Sequence, residues 1–213
     1  SLKKATGEAK GKHAYNYYAE QLYDPRCHVI QAVDSHGKAF ATLVNYAIHP
    51  EVLGSDQGIL SPDLIGPLYD RIRERGGGTA VFMSSAQGGM VTADCRGSDG
   101  KDMRVWSECI RIGQLLADEA LRVVQTAPEQ KEPKLFCASK IVSFPVESSL
   151  LRAVLKASPL GYSADDSNRV STQLNLVNVG NAQILTIPGE ALPNIGFYLK
   201  RKMRGEHNLL FGL

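Results

Sequence analysis

A chain of 213 residues, 43% hydrophobic and 22% charged, has the makeup of a globular protein with enough length to bury a sizeable core. A formal net charge of +2 offers no overall field to draw nucleic acid or an anionic membrane, and no apolar run nears the ~20 residues of a membrane-spanning helix. The four cysteines, Cys27, Cys95, Cys109 and Cys137, are scattered and form no CxxC pair, which excludes a zinc knuckle or thioredoxin-like motif. Mostly buried free thiols are expected, with room for a single bridge. The chain opens SLKKATGEAK, with no initiator Met and no signal-peptide pattern, so the absence of a signal says nothing of the compartment.

Residues 1–26 are polar and carry a tyrosine-rich patch, AYNYY, without clear periodicity. HVIQAVDSHGKAFATLVNYAIH then reads as a β-hairpin with its turn at DSHGK. Its second arm, with Phe40, Leu43, Val44, Tyr46 and Ile48, has the continuous apolar character of a strand covered on both faces. After a loop, Ser61, Pro62 and Asp63 read as N-cap, first helical residue and first-turn acid. Leu64, Ile65, Leu68, Tyr69 and Ile72 keep helical spacing, and a triple glycine ends the helix.

TAVFM is a short buried strand, and SSAQGGMVTADCRGSDGK is too long to be only a connector. The spacing predicts a helix over residues 102–125, apolar at Trp106, Cys109, Ile110, Leu116, Ala117, Ala120, Leu121 and Val124. A strand at LFCASKIVSFPV, a short helix at SSLLRAVLKA and a second hairpin, TQLNLVNVGNAQILTIPG, follow. The last helix, EALPNIGFYLKRKM, is apolar at Leu192, Ile195, Tyr198 and Leu199, and HNLLFGL begins another strand. This order predicts one layered α/β or α+β domain, a mixed β-sheet with flanking helices, over residues 1–213.

Three strand-to-loop junctions carry the candidate chemistry: His49 in NYAIHPEVLG, Gln87 in VFMSSAQGG, and Glu190 in ILTIPGE. Ligands gather where strands of layered folds end, so parallel neighbours would bring the three to one rim. Neutral imidazole is a common zinc ligand, but a histidine at such a junction also serves as a turn residue held by one hydrogen bond. Glu190 suits a ligand or a general base, yet an acid near a helix N-terminus gains ~0.3–1 kcal/mol with no function at all. Gln87 and Gly88 would let backbone approach a substrate, and no phosphate-loop motif is present. Thr92 offers a hydroxyl; Ser61 and Asp63 are candidates for substrate contact through their closeness to His49.

ATLVNYAIHPEVLG, ILSPDLIGPLYDRI, AVFMSSAQGGMVTAD and AQILTIPGEALPNIG, in that order and rough spacing, resemble the neutral/alkaline, non-lysosomal ceramidase family. The resemblance runs motif by motif over about residues 6–213, and the HP dipeptide and loops are closer to bacterial relatives than to the ceramidases proper. It implies a zinc-dependent amidase that cleaves the N-acyl bond of a lipid such as ceramide, secreted or periplasmic, with peripheral membrane contact and no nucleic-acid partner. His49 then matches a zinc-binding histidine and Glu190 the glutamate of the PGE segment. Thr92 falls where the family has a loop serine, and Tyr17 where it has a substrate-holding arginine. The family's other histidine ligand would precede Ser1 and its tyrosine ligand would follow Leu213. The chain then corresponds to the middle of a larger catalytic domain, inactive by itself. The competing expectation is a non-catalytic binding module with an incomplete metal site.

Overall fold

Alternation in HVIQAV and AFATLVNY builds the first hairpin of the computed structural model, which describes residues 23–89, 92–161 and 163–212. Tyr17 lies outside the described residues. The elements run β1 His28–Val33, β2 Ala39–Tyr46, α1 Ile65–Glu74, β3 Thr79–Ser84, α2 Trp106–Thr126, β4 Leu135–Pro145, α3 Ser149–Ala157, β5 Arg169–Val179, β6 Ala182–Ile187, α4 Pro193–Lys202 and β7 His207–Gly212.

The fold is α+β, with its strands divided between two mixed sheets. One has the order β1-β2-β3, the other β4-β5-β6-β7. β2 pairs antiparallel with β1 and parallel with β3; β6 pairs antiparallel with β5 and parallel with β7. Because side chains alternate along a strand, β2 serves two cores. Val44, with Val29 and Phe82 of its neighbours, faces α1 and α2 through Leu64, Leu68, Ile72, Cys109, Leu116 and Ala117. Leu43, with Ile30, faces the other sheet through Ala182, Ile184 and Leu209. Leu210, one residue on, points away from that interface, where Leu185, Leu199 and Met203 pack with it. The layers are therefore helices α1 and α2, the first sheet, the second sheet, then α4.

Asn45 ties the sheets. It is fully buried, and its Nδ2 donates to the carbonyls of Met83 on β3 and Leu210 on β7, both at 2.8 Å. A polar residue within an apolar run is tolerated when its donors are met in this way.

Three expectations need correction. The first helix begins at Ile65, not Pro62. Asp63 adopts a left-handed backbone (φ 51°), which Asp accommodates better than most residues, and this breaks helical geometry before it can start. The second helix begins at Trp106 rather than 102, and Trp106 and Ile110 are exposed; the buried stripe is Cys109, Gly113, Leu116, Ala117 and Ala120. The last helix is turned by about one residue, or ~100°, from its apolar stripe. Leu192, Ile195 and Tyr198 are exposed, while Pro193, Gly196 and Lys200 are buried. Two contacts decide that rotation. A Cβ at Gly196 would overlap Ala86, so only glycine lets the helix come this close. Lys200 donates to Asp24 Oδ2 at 2.8 Å with both side chains almost wholly buried. All four cysteines are free, with Cys95 and Cys109 buried.

Asp24 also accepts two hydrogen bonds from the Arg26 guanidinium, and that guanidinium lies 5.6 Å from the centroid of Phe197 on α4. Burial alone would raise the Asp24 carboxyl, but hydrogen bonds from Arg26 and Lys200 outweigh it and hold the group at about 2. His28 Nε2 lies 3.3 Å from Lys200 Nζ, and burial, followed by the lysine's charge, lowers the imidazole to about 4. This cluster fastens α4 to the approach to β1.

Removing one partner of a buried pair strands the other charge. Lys200→Met should therefore lower the unfolding free energy by about 2–4 kcal/mol, Arg26 keeping the loss below the worst case, as read by urea denaturation at neutral pH. A pH dependence follows as well. The folded His28 titrates at about 4, below its ordinary 6.5, so the unfolded chain takes up a proton first as pH falls. Stability should decline from pH 6.5 to 4 on this account, and His28→Gln should flatten that part of the profile. Loss through Asp24 comes lower, as pH falls from its ordinary 3.8 through about 2.

Candidate functional site

β2 and β3 are parallel, so both release their chains at one end of the first sheet, toward His49 and toward Gln87. β6 releases its chain toward Glu190 from the second sheet. The two exits meet. Gly88 N donates to the Ala191 carbonyl at 2.9 Å, and a Cβ at Gly88 would overlap the Glu190 carbonyl oxygen. The backbones touch because residue 88 has no side chain.

This contact brings His49 and Glu190 together from different sheets. His49 Nε2 lies 3.5 Å from Glu190 Oε2 and 2.9 Å from the Gln87 carbonyl oxygen. A carbonyl only accepts, so in this arrangement Nε2 carries a proton. His49 is mostly covered, its side chain 19% exposed, while that of Glu190 is 48% exposed. The pair is thus a largely covered imidazole beside a wetter carboxylate.

Does the pair fit a metal? Ligand bonds of about 2.0–2.2 Å meeting at a tetrahedral angle put the two donor atoms roughly 3.4 Å apart. The observed 3.5 Å matches that spacing, the ion taking the place of the Nε2 proton. Among the described residues no group of three His, Cys, Asp or Glu side chains gathers here or elsewhere. The described residues at this rim therefore offer two donor side chains, His49 and Glu190.

Gln87 is 1% exposed, and its Oε1 has no hydrogen-bond partner among the described residues; Ser85 Oγ and Asn45 Oδ1 are likewise buried without partners among them. Gly88 acts through its missing side chain.

The remaining nominated residues form a second group. A cavity of about 480 Å³ opens beside the segment that follows His49, and its lining includes Pro50, Leu53, Ser61, Asp63, Thr92 and Arg104. His49, Gln87, Gly88 and Glu190 are not in that lining. Thr92 is exposed on the cavity wall. Asp63 is 4% exposed, and its carboxylate accepts from the backbone N–H groups of Val52, Leu53 and Leu64 at 2.8–3.0 Å. Ser61 Oγ accepts from Asp63 N at 2.9 Å. Both side chains thus shape the Pro50–Leu53 segment, which joins His49 to the cavity. Asp63 turns left-handed for the same reason: that conformation aims one carboxylate at three donors.

Sequence reading passed over Asn45 and the Asp24–Lys200 cluster. The signals were there: a single amide inside an apolar strand, and Pro193, Gly196 and Lys200 at helical spacing.

No protein-family model matches the chain, and no curated protein does. Solved structures do. A neutral ceramidase from Pseudomonas aeruginosa superposes with a TM-score of 0.68 at 15% identity, over 89% of this chain and 39% of that one. A ceramidase complexed with C2 superposes with a TM-score of 0.69 at 14% identity, over 93% of this chain and 42% of that one. The chain has the fold of part of a ceramidase. It spans about two fifths of the length of the ceramidases it matches.

The geometry makes one residue's role testable here. Asp63→Ala leaves three buried N–H groups without an acceptor, and the expected cost is about 3 kcal/mol or more of folding stability. Chemical denaturation measures it; a variant as stable as the parent would free Asp63 for a role in binding.

Proposed function

We propose that the protein forms the central part of a zinc-dependent N-acyl amide hydrolase that acts on a lipid amide such as ceramide. The observation that carries this reading is the meeting of His49 and Glu190, 141 positions apart, at 3.5 Å in a fold shared with ceramidases. A structural acid at a helix start would have no need to meet the one imidazole held at the opposite sheet's rim. A secreted or periplasmic location accords with a lipid substrate and belongs to the same proposal.

In this reading His49 and Glu190 would supply two zinc ligands, and the Nε2 hydrogen bond to the Gln87 carbonyl holds the imidazole ring at the rim while no ion is bound. Zinc, when bound, supplies polarisation of the acyl carbonyl and a water whose pKa is lowered to ~7. Thr92, on the cavity wall, serves as hydroxyl donor to the reacting amide or as its nucleophile. The Ser61–Asp63 turn holds the Pro50–Leu53 segment between the two groups, so its contribution to substrate binding is the shape of the cavity.

A second reading, a non-catalytic module of the same fold, draws on the two-ligand shell. The two are separated by metal analysis after dialysis together with an N-acyl amide assay. The 213-residue chain should bind zinc weakly and turn over no substrate, while a chain extended by the upstream histidine and downstream tyrosine of the ceramidase pattern should do both. In the extended chain His49→Ala or Glu190→Ala should abolish zinc retention. Thr92→Ala should keep zinc and lower turnover by about a hundredfold or more, the scale of losing one positioned catalytic group. Turnover unchanged in Thr92→Ala removes that residue from the mechanism, and extended chains without zinc or turnover leave the binding module.

A further inference from the structure

The cavity of about 480 Å³ falls within the ~300–1,000 Å³ of sites for small ligands, and charges of both signs line it. Arg104 is the one cationic residue of its lining among the described residues. Glu51 and Asp102 are exposed there, and neither carboxylate has an ion pair or hydrogen bond among the described residues. Asp63, the third acid of the lining, is taken up by backbone donors and is not free to meet a ligand.

Arg104 is held in place but lightly engaged. Gly54 has a left-handed backbone (φ 66°), and a Cβ there would overlap the guanidinium Nη1, so the arginine lies across a glycine that makes room for it. Gln57 Nε2 donates to the Arg104 carbonyl at 2.9 Å, which ties down the backbone of the same residue. The guanidinium itself has one acceptor among the described residues, Asp56 Oδ2 at 3.1 Å, and the Asp56 side chain is 76% exposed. An open ion pair of this kind is weak, and most of the fixed fork of N–H donors remains without a partner. Ser61 adds a further donor: its oxygen accepts from Asp63 N, which leaves the hydroxyl hydrogen to give.

We infer that this cavity binds a zwitterionic headgroup, with a phosphate-like anion on Arg104 and Ser61 and an ammonium on Glu51 and Asp102. An anion alone would reach the guanidinium only in the company of two carboxylates, and a cation alone would share the cavity with Arg104. A group carrying both charges meets a counter-charge at each end and brings no net charge in. Planar forked donors suit phosphate oxygens, and exposed carboxylates suit an ammonium. The Pro50–Leu53 segment joins His49 to this cavity, so the headgroup is that of the lipid amide itself, which narrows the substrate class to lipid amides with a zwitterionic headgroup. That use rests on the lipid-amide reading; the binding is measured without zinc or turnover.

The probe is phosphocholine, titrated into the 213-residue chain by calorimetry beside inorganic phosphate, choline and serine. Phosphocholine should bind at least about tenfold more tightly than phosphate or choline alone, since each supplies only one of the two charges. Arg104→Met should weaken phosphocholine at least about tenfold and leave choline unchanged or tighter. Glu51→Gln with Asp102→Asn should weaken phosphocholine and leave phosphate unchanged or tighter. Both variants should melt near the parent, because these side chains are exposed. No binding of phosphocholine, or phosphate or choline binding equally well, overturns the inference. Serine binding as tightly as phosphocholine makes this a site for a free amino acid and overturns the headgroup assignment. Equal loss of every probe in either variant shows that shape and not charge was altered, and overturns it too. In the extended chain, kcat/KM should favour an amide bearing phosphocholine over the same amide without it, and Arg104→Met should remove that preference. Hydrolysis of the headgroup-free amide tests the hydrolase reading independently, so either can fail while the other stands.

Discussion

The rim of this molecule depends on one close backbone approach, between Gln87–Gly88 and Glu190–Ala191. The first segment follows β3 and the second follows β6, so the contact joins the exits of two separate sheets. It is made by one hydrogen bond and by the absence of one side chain. The Gln87 carbonyl then fixes His49, and the chain after β6 delivers Glu190 to the same place. Behind this contact Gly196 repeats the device, letting α4 come down on Ala86. Small residues at these crossings set the distance between layers, and the distance between layers sets the distance between imidazole and carboxylate.

Polar groups placed deep in the fold hold that spacing. Asn45 spans β3 and β7 from the middle layer, Asp63 closes the segment after His49, and Asp24 with Lys200 and Arg26 secures the far end of α4. Each would be costly if left without partners; the Asp24 and Asp63 carboxylates are well supplied with donors, and both amide hydrogens of Asn45 are bonded, although its Oδ1 has no partner among the described residues. Burial of this kind adds little net stability over apolar packing, but it rejects arrangements in which the partners miss one another. A hydrophobic substitute would permit sliding between layers. These amides and charges do not.

Much of this was legible in the sequence because it is local. The first hairpin, the strand at TAVFM, the α3 segment and the second hairpin all follow from alternation, turn residues and caps. His49 and Glu190 were also legible, as chemistry-bearing residues at strand ends, and the resemblance to ceramidases gave the reason to pair them. What the sequence hid was non-local. Division of the strands into two sheets depends on which strand pairs with which, and no strand's own pattern records that. The face of α4 was misread because Leu192, Ile195 and Tyr198 are more apolar than Gly196 and Lys200, yet the contacts that decide burial belong to Ala86 and Asp24, far away in the chain. Asp63 has the pattern of a first-turn acid until its carboxylate is seen to serve Val52 and Leu53.

The bond from Asn45 to Leu210 has a consequence in time. Its partners are 165 residues apart, so the second strand of the chain cannot be locked until its last described strand has been made. Contacts of such long separation form late, since the intervening loop must first be closed. During synthesis the first sheet and its two helices can collapse early, with His49 already at their rim and one face still open. Glu190 and the strand that seals that face emerge together, long after the first sheet. The nascent chain therefore passes through an interval with an exposed apolar sheet face, and His49 and Glu190 meet only once the layers have met.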